Sequence, residues 1–118
     1  MKPVTYLLCP YSDEQKFIME CRFECANKAA AYLKQKGYNC FSPISHSHSI
    51  AKYMNNANDS DYWVELDLVF MSICNSVHVL KIDGWDKSKE IKRELEEAIK
   101  LNLPVYYIEY DEIKFNCF

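Results

Sequence analysis

Residues 77–101 read VHVLKIDGWDKSKEIKRELEEAIKL. The opening run, Val77 to Ile82, is short, largely apolar and closed by Asp83-Gly84, as expected of a strand buried on both faces. From about Ser88 to Leu101 the apolar residues Ile91, Leu95, Ala98 and Ile99 recur at helical spacing, while Glu90, Arg93, Glu96 and Glu97 turn mostly to water. A strand, a Gly-Trp-Asp-Lys-Ser turn and a helix form the repeating unit of a parallel α/β sheet. The first turns of such a helix face the carboxyl edge of the sheet, where open α/β folds place their ligands.

The same alternation extends through the chain. Strands are expected near Val4 to Cys9, Tyr38 to Ser42 and Val105 to Glu109, with short connections and no internal repeat. A first helix is expected to begin at Ser12, whose Ser-x-x-Gln spacing to Gln15 suggests a capping box, and to run to Gly37, suited to a left-handed cap. Between about Ser47 and Asn75, the polar stretch from Asn55 to Asp61 reads as a loop, followed by a helix with apolar positions Tyr62, Trp63, Leu66, Val69, Phe70 and Ile73. The tail after Asp111 is expected to add a short strand or to lie across a subunit interface. The expected architecture is one domain over residues 1–118, an α/β fold with a parallel sheet of four to five strands.

Two carboxylates break these apolar patterns. Glu94 stands between Ile91 and Ala98 in the buried stripe of its helix, and Asp67 has Trp63, Val64, Phe70 and Met71 as helical neighbours. An ionised carboxylate in such company is costly unless it is hydrogen-bonded, paired or open to a cleft. Each residue alone is explicable as a structural ion pair or polar anchor; the two together suggest a site.

Composition limits the alternatives. The 118 residues are 49% hydrophobic, enough for one core, and carry a net charge of −3, which argues against a nucleic-acid polymer as partner. The 14 Lys and Arg are interspersed with 17 Asp and Glu rather than gathered in a basic patch. No segment approaches a membrane span, and the Met-Lys-Pro-Val-Thr-Tyr-Leu-Leu start lacks a signal-peptide core, so a cytoplasmic protein without membrane contact is expected. Six cysteines include no Cys-x-x-Cys. Cys21 and Cys25 share a helical face with Ile18, Ala29 and Leu33, and Cys9, Cys40 and Cys74 end apolar runs, so they read as small buried hydrophobes.

The loops after the parallel strands bring Pro10-Tyr11-Ser12, the segment from Pro43 to His48, and Asp83 to Ser88 to one edge. Ser88 is placed to cap its helix or, with the free N–H groups there, to hold a phosphate. His46 and His48 alternate in what reads as an extended loop, suited to hydrogen bonding with a sugar or base; without a Cys or carboxylate at ligand spacing, no metal is expected. Tyr11, Trp63 and Trp85 can stack on a base, although periodicity turns Trp63 inward and aromatics more often fill core or rim.

These segments also form a recognisable series: Tyr6-Leu7-Leu8-Cys9-Pro10-Tyr11-Ser12; Arg22-Phe23 with Asn27; Phe41-Ser42-Pro43-Ile44-Ser45-His46-Ser47-His48; Trp63-Val64-Glu65-Leu66-Asp67; and Gly84-Trp85-Asp86-Lys87-Ser88 with Glu94. In order, and over nearly the whole chain, the series resembles a small branch of the nucleoside 2-deoxyribosyltransferase-like superfamily. The resemblance implies that the fold is a flavodoxin-like (Rossmann-like) three-layer sandwich, and it implies a dimer or larger homo-oligomer and no cofactor. It also implies N-glycosidic chemistry on a nucleoside or nucleotide, with Glu94 matching the glutamate nucleophile and Asp67 the aspartate near the leaving base. Ser88 matches the serine that contacts a 5′-phosphate in the hydrolases of the superfamily, so the resemblance favours a nucleoside 5′-monophosphate. The chain departs from those hydrolases at Cys9-Pro10, in place of a Gly-containing turn, and at Glu90 and Lys92, in place of glycines. A negative Glu90 opposes an anion near the helix start.

Residue chemistry supports the assignment independently of the family. Breaking an N-glycosidic bond builds positive charge on the sugar, which a carboxylate beneath the anomeric carbon stabilises or traps as an ester. A second, desolvated carboxyl group can protonate or orient the departing base. The expected site comprises Glu94 and Asp67 as catalytic groups, with Tyr11, Ser12, His46, His48, Trp63, Trp85 and Ser88 around the substrate. The alternative is a module that binds a nucleotide derivative without cleaving it.

Overall fold

The computed structural model describes residues 3–55 and 60–114. Four strands, β1 (Val4–Leu8), β2 (Asn39–Phe41), β3 (Ser76–Lys81) and β4 (Val105–Glu109), form one sheet in the order β2-β1-β3-β4. All pairings are parallel, with Tyr6 opposite Phe41 and Val77, Leu8 opposite Val79, and Lys81 opposite Glu109. The helices are α1 (Lys16–Gln35), α2 (Pro43–Ala51), α3 (Ser60–Ser72), α4 (Lys89–Lys100) and the short α5 (Tyr110–Ile113).

Strand residues point alternately to the two faces of the sheet, and both faces are covered. Leu7, Leu80 and Ile108 pack with Ala26, Ala29 and Leu33 of α1 and Ile113 of α5. Tyr6, Leu8, Val77 and Val79 pack on the opposite face with Met71 of α3 and with Ile91 and Ala98 of α4. The result is a flavodoxin-like three-layer sandwich. Because β1 pairs with β2 on one side and β3 on the other, the chain leaves β1 and β3 in opposite directions, opening a crevice beyond their carboxyl ends.

Several local expectations are revised. Helix α1 starts at Lys16, with no side-chain cap from Gln15, because Ser12 is bound elsewhere, to Glu90. Gly37 does take the left-handed conformation, at φ 97°. The segment from Pro43 to His48 is helix α2 rather than an extended loop: Ser42 Oγ accepts from the Ser45 N–H at 3.3 Å, and Pro43 occupies the first turn. That Ser-Pro pair is a helix-start signal. The stretch after Asp111 continues a helical turn, α5, rather than a strand, and residues 115–118 lie outside the described residues, as does most of the polar loop at 56–59.

The apolar stripes are also narrower than their spacing suggests. Ile99 is 70% exposed on α4, and on α3 Val69 and Ile73 are each 57% exposed. Cys21 is exposed and Cys25 half-buried. Among the described residues, no helix is long and apolar enough to cross a membrane.

Candidate active site

Tyr6 supplies the first constraint. Its ring lies in the sheet, fully buried, and a buried phenol needs a hydrogen-bond partner. The hydroxyl donates to Glu94 Oε1 at 2.6 Å, joining the centre of β1 to the carboxylate that interrupts the α4 stripe. Asp67 lines the same cavity, which has a volume of about 350 Å³ and opens at the carboxyl edge beyond β1 and β3. Helices α3 and α4 pack on one face of the sheet and thus present both carboxylates to one space.

Their environments make both carboxyl groups weaker acids. Burial pushes Glu94 up to about 8; the Tyr6 hydrogen bond opposes the rise, Asp67 and Glu90 add to it, and Arg93 opposes it. Asp67 is pushed up to about 6, mainly by burial, with Glu90 adding and Arg93 opposing. Burial thus favours the protonated form at both carboxyl groups, and at Glu94 more strongly than at Asp67.

Tyr11, Ser12, His48 and Trp63 join these two carboxyl groups in the cavity wall. His48 stacks on Phe23 with ring centroids 4.0 Å apart. Its Nε2 lies 2.8 Å from Glu20 Oε1, and its Nδ1 lies 2.6 Å from the Tyr11 hydroxyl. Since a carboxylate only accepts, the Nε2 proton faces Glu20, and Nδ1 shares the second hydrogen bond with the Tyr11 hydroxyl.

Three expected residues lie elsewhere. His46 and His48 are two positions apart on a helix, hence on nearly opposite sides; His46 packs near Phe41 and Phe70 instead of in the cavity wall. Trp85 packs edge-on against Tyr107, with Lys81 over its ring. Ser88 is the N-cap of α4, its Oγ accepting from the Ile91 N–H at 3.2 Å, and it does not line the cavity.

In their place, the structure brings in Glu90 and Arg93, which periodicity assigns to water but which line the cavity, Glu90 one turn before Glu94 and Arg93 next to it in the chain. Glu90 accepts from the Ser12 N–H at 3.2 Å and from the Ser12 hydroxyl at 3.0 Å. Its position four residues before Glu94 is the available sequence signal. Arg22 Nη1 donates to the carbonyls of Tyr11 and Ser12, and Nη2 to that of Asp83, tying the loop after β1 to the loop after β3. Gly84 gives this guanidinium room: its φ is 92°, and a Cβ there would lie 2.7 Å from Arg22 Nη2. Among the described residues, no three His, Cys, Asp or Glu side chains gather as a metal site.

The fold and cavity define a parallel α/β domain with a paired-carboxyl pocket at its topological switch point. Residues 3–110 match the family described as a domain of unknown function, DUF1937, and the chain belongs to that family. No curated protein matches it.

Proposed function

We propose that the protein cleaves the N-glycosidic bond of a nucleoside or nucleotide, by hydrolysis or by transfer to another base. The observation that carries this reading is the convergence of Glu94 and Asp67 on one cavity, with Tyr6 holding Glu94. Glu94 attacks the anomeric carbon as the bond to the base nitrogen breaks, and Asp67 protonates or orients the departing base. Water or a second base then opens the glycosyl ester. Positive charge growing on the sugar favours an ionised Glu94, whose proton passes to Asp67 and from there to the departing base.

The competing reading is a module that binds such a ligand intact. Burial, which favours the protonated and non-nucleophilic form of Glu94, supports it. Incubation with a panel of ribo- and deoxyribonucleosides and their monophosphates, with free base followed by chromatography, separates the two. Base release is the expected result; ligand-induced stabilisation without release would transfer the assignment to binding.

A homo-oligomer forms part of the proposal. Tyr62, Val69 and Ile73 recur along one face of α3 and are 48%, 57% and 57% exposed, a stripe that association between copies would cover. Light scattering is expected to give at least a dimer mass, and a monomer would count against it.

A further inference from the structure

The polarity of the cavity mouth names the ligand more closely. Both hydroxyls there are already engaged: Tyr11 with His48 Nδ1, and Ser12, as donor, with Glu90 Oε2. The Ser12 N–H is likewise turned to Glu90. The Ser12 hydroxyl therefore offers lone pairs to the cavity beside the Glu90 carboxylate, so this side of the mouth accepts hydrogen bonds. Asp13 and Glu14 line the same cavity, with Lys16 and Arg93 as its cations. Arg93 stands one residue before Glu94 on α4, and its charge opposes the rise of both Asp67 and Glu94.

A phosphate is also an acceptor carrying negative charge. It would have to displace Glu90 from Ser12 and then remain beside it, at a cost in repulsion within a partly desolvated pocket. A free hydroxyl has the opposite polarity, donating one proton to Glu90 or to the Ser12 oxygen. Ser88, whose match implied a phosphate contact, is occupied as a helix cap outside the cavity.

We infer that this end of the cavity selects an unphosphorylated, hydroxyl-bearing sugar, with Glu90 as the specificity-determining residue that rejects 5′-phosphorylated ligands. The substrate class, a free nucleoside, rests on the N-glycosidic reading above; the charge selectivity rests on the mouth alone.

The test compares matched pairs, 2′-deoxyadenosine with its 5′-monophosphate and thymidine with thymidine 5′-monophosphate, in the parent and in Glu90→Gln. Calorimetric Kd and base release are read separately. The parent is expected to favour the nucleoside at least about tenfold, and Glu90→Gln, which removes the charge and supplies an amide donor, to shrink that preference about tenfold. Ser12→Ala, which removes the hydroxyl donor but keeps the backbone N–H and the Glu90 charge, is expected to retain the preference. Equal or tighter binding of the monophosphate by the parent, an unchanged ratio in Glu90→Gln, or no binding of any pair would overturn the inference. Selective binding without base release would leave the selectivity standing and remove the glycosidase reading. Release from the monophosphate alone would do the reverse.

Discussion

Glu94→Gln is expected to reduce base release by roughly 10³-fold or more, the scale at which removing a covalent nucleophile acts. The substitution nearly preserves shape, and its amide oxygen still accepts from the Tyr6 hydroxyl that now meets Oε1 at 2.6 Å. What it removes is the oxygen anion able to bond to the anomeric carbon and to balance positive charge on the sugar. The comparison is made with purified parent and variant of matching circular dichroism, at saturating substrate, by chromatography of the free base. Release at the parental rate would show that Glu94 is not the nucleophile. A drop of only a few fold would fit a carboxyl group that positions the ligand, bringing the binding reading forward.

How far this site was legible in the sequence depended on whether a residue's environment is set by its own helix or by a neighbour. Glu94 and Asp67 stood out because each interrupts an apolar pattern that its own helix defines, and both do line the cavity. The parallel sheet followed similarly from short apolar runs alternating with helical ones, and the range of β4, Val105–Glu109, was anticipated in full. Glu90 was assigned to solvent because periodicity describes one helix at a time; the Ser12 loop that arrives across the sheet edge to meet it has no signature within α4. Tyr6 belongs to the same class. Its place in a doubly covered strand required a hydroxyl partner, but only the packing of α4 on β1 identifies that partner as Glu94. The reverse error affected Ser88, whose capping role is complete within its own helix and needs no ligand. For His46 and His48 the decisive point was the Ser42-Pro43 helix start, which places the two rings on different sides of α2.

The same Glu94→Gln substitution is expected to stabilise the fold, increasingly so as the pH rises. The sign follows from linkage. Glu94 titrates near its ordinary 4.5 in the unfolded chain and at about 8 in the folded one, so the folded state holds the proton more tightly. Below 4.5 the group is protonated in both states, and glutamine has little advantage. Between 4.5 and about 8 the unfolded chain ionises while the folded one resists, and the parent loses stability throughout that window. Above about 8 the full penalty is present, on the order of 2 to 4 kcal/mol for a carboxyl group lining a cavity, or roughly ten degrees in Tm for a domain of this size. Asp67, raised to about 6 mainly by burial, contributes in the same direction over a lower and narrower window. Melting parent and variant at pH 5 and pH 9 checks this: the gap is expected to be small at pH 5 and to open at pH 9, and a gap independent of pH would mean that Glu94 carries no burial penalty. The pairing of this result with the loss of base release is what distinguishes a reactive group from a structural one. Removing a carboxylate that anchors the fold costs stability, whereas a carboxylate held in a poorly solvating cavity for its chemistry leaves the protein more stable and less active when its charge is gone.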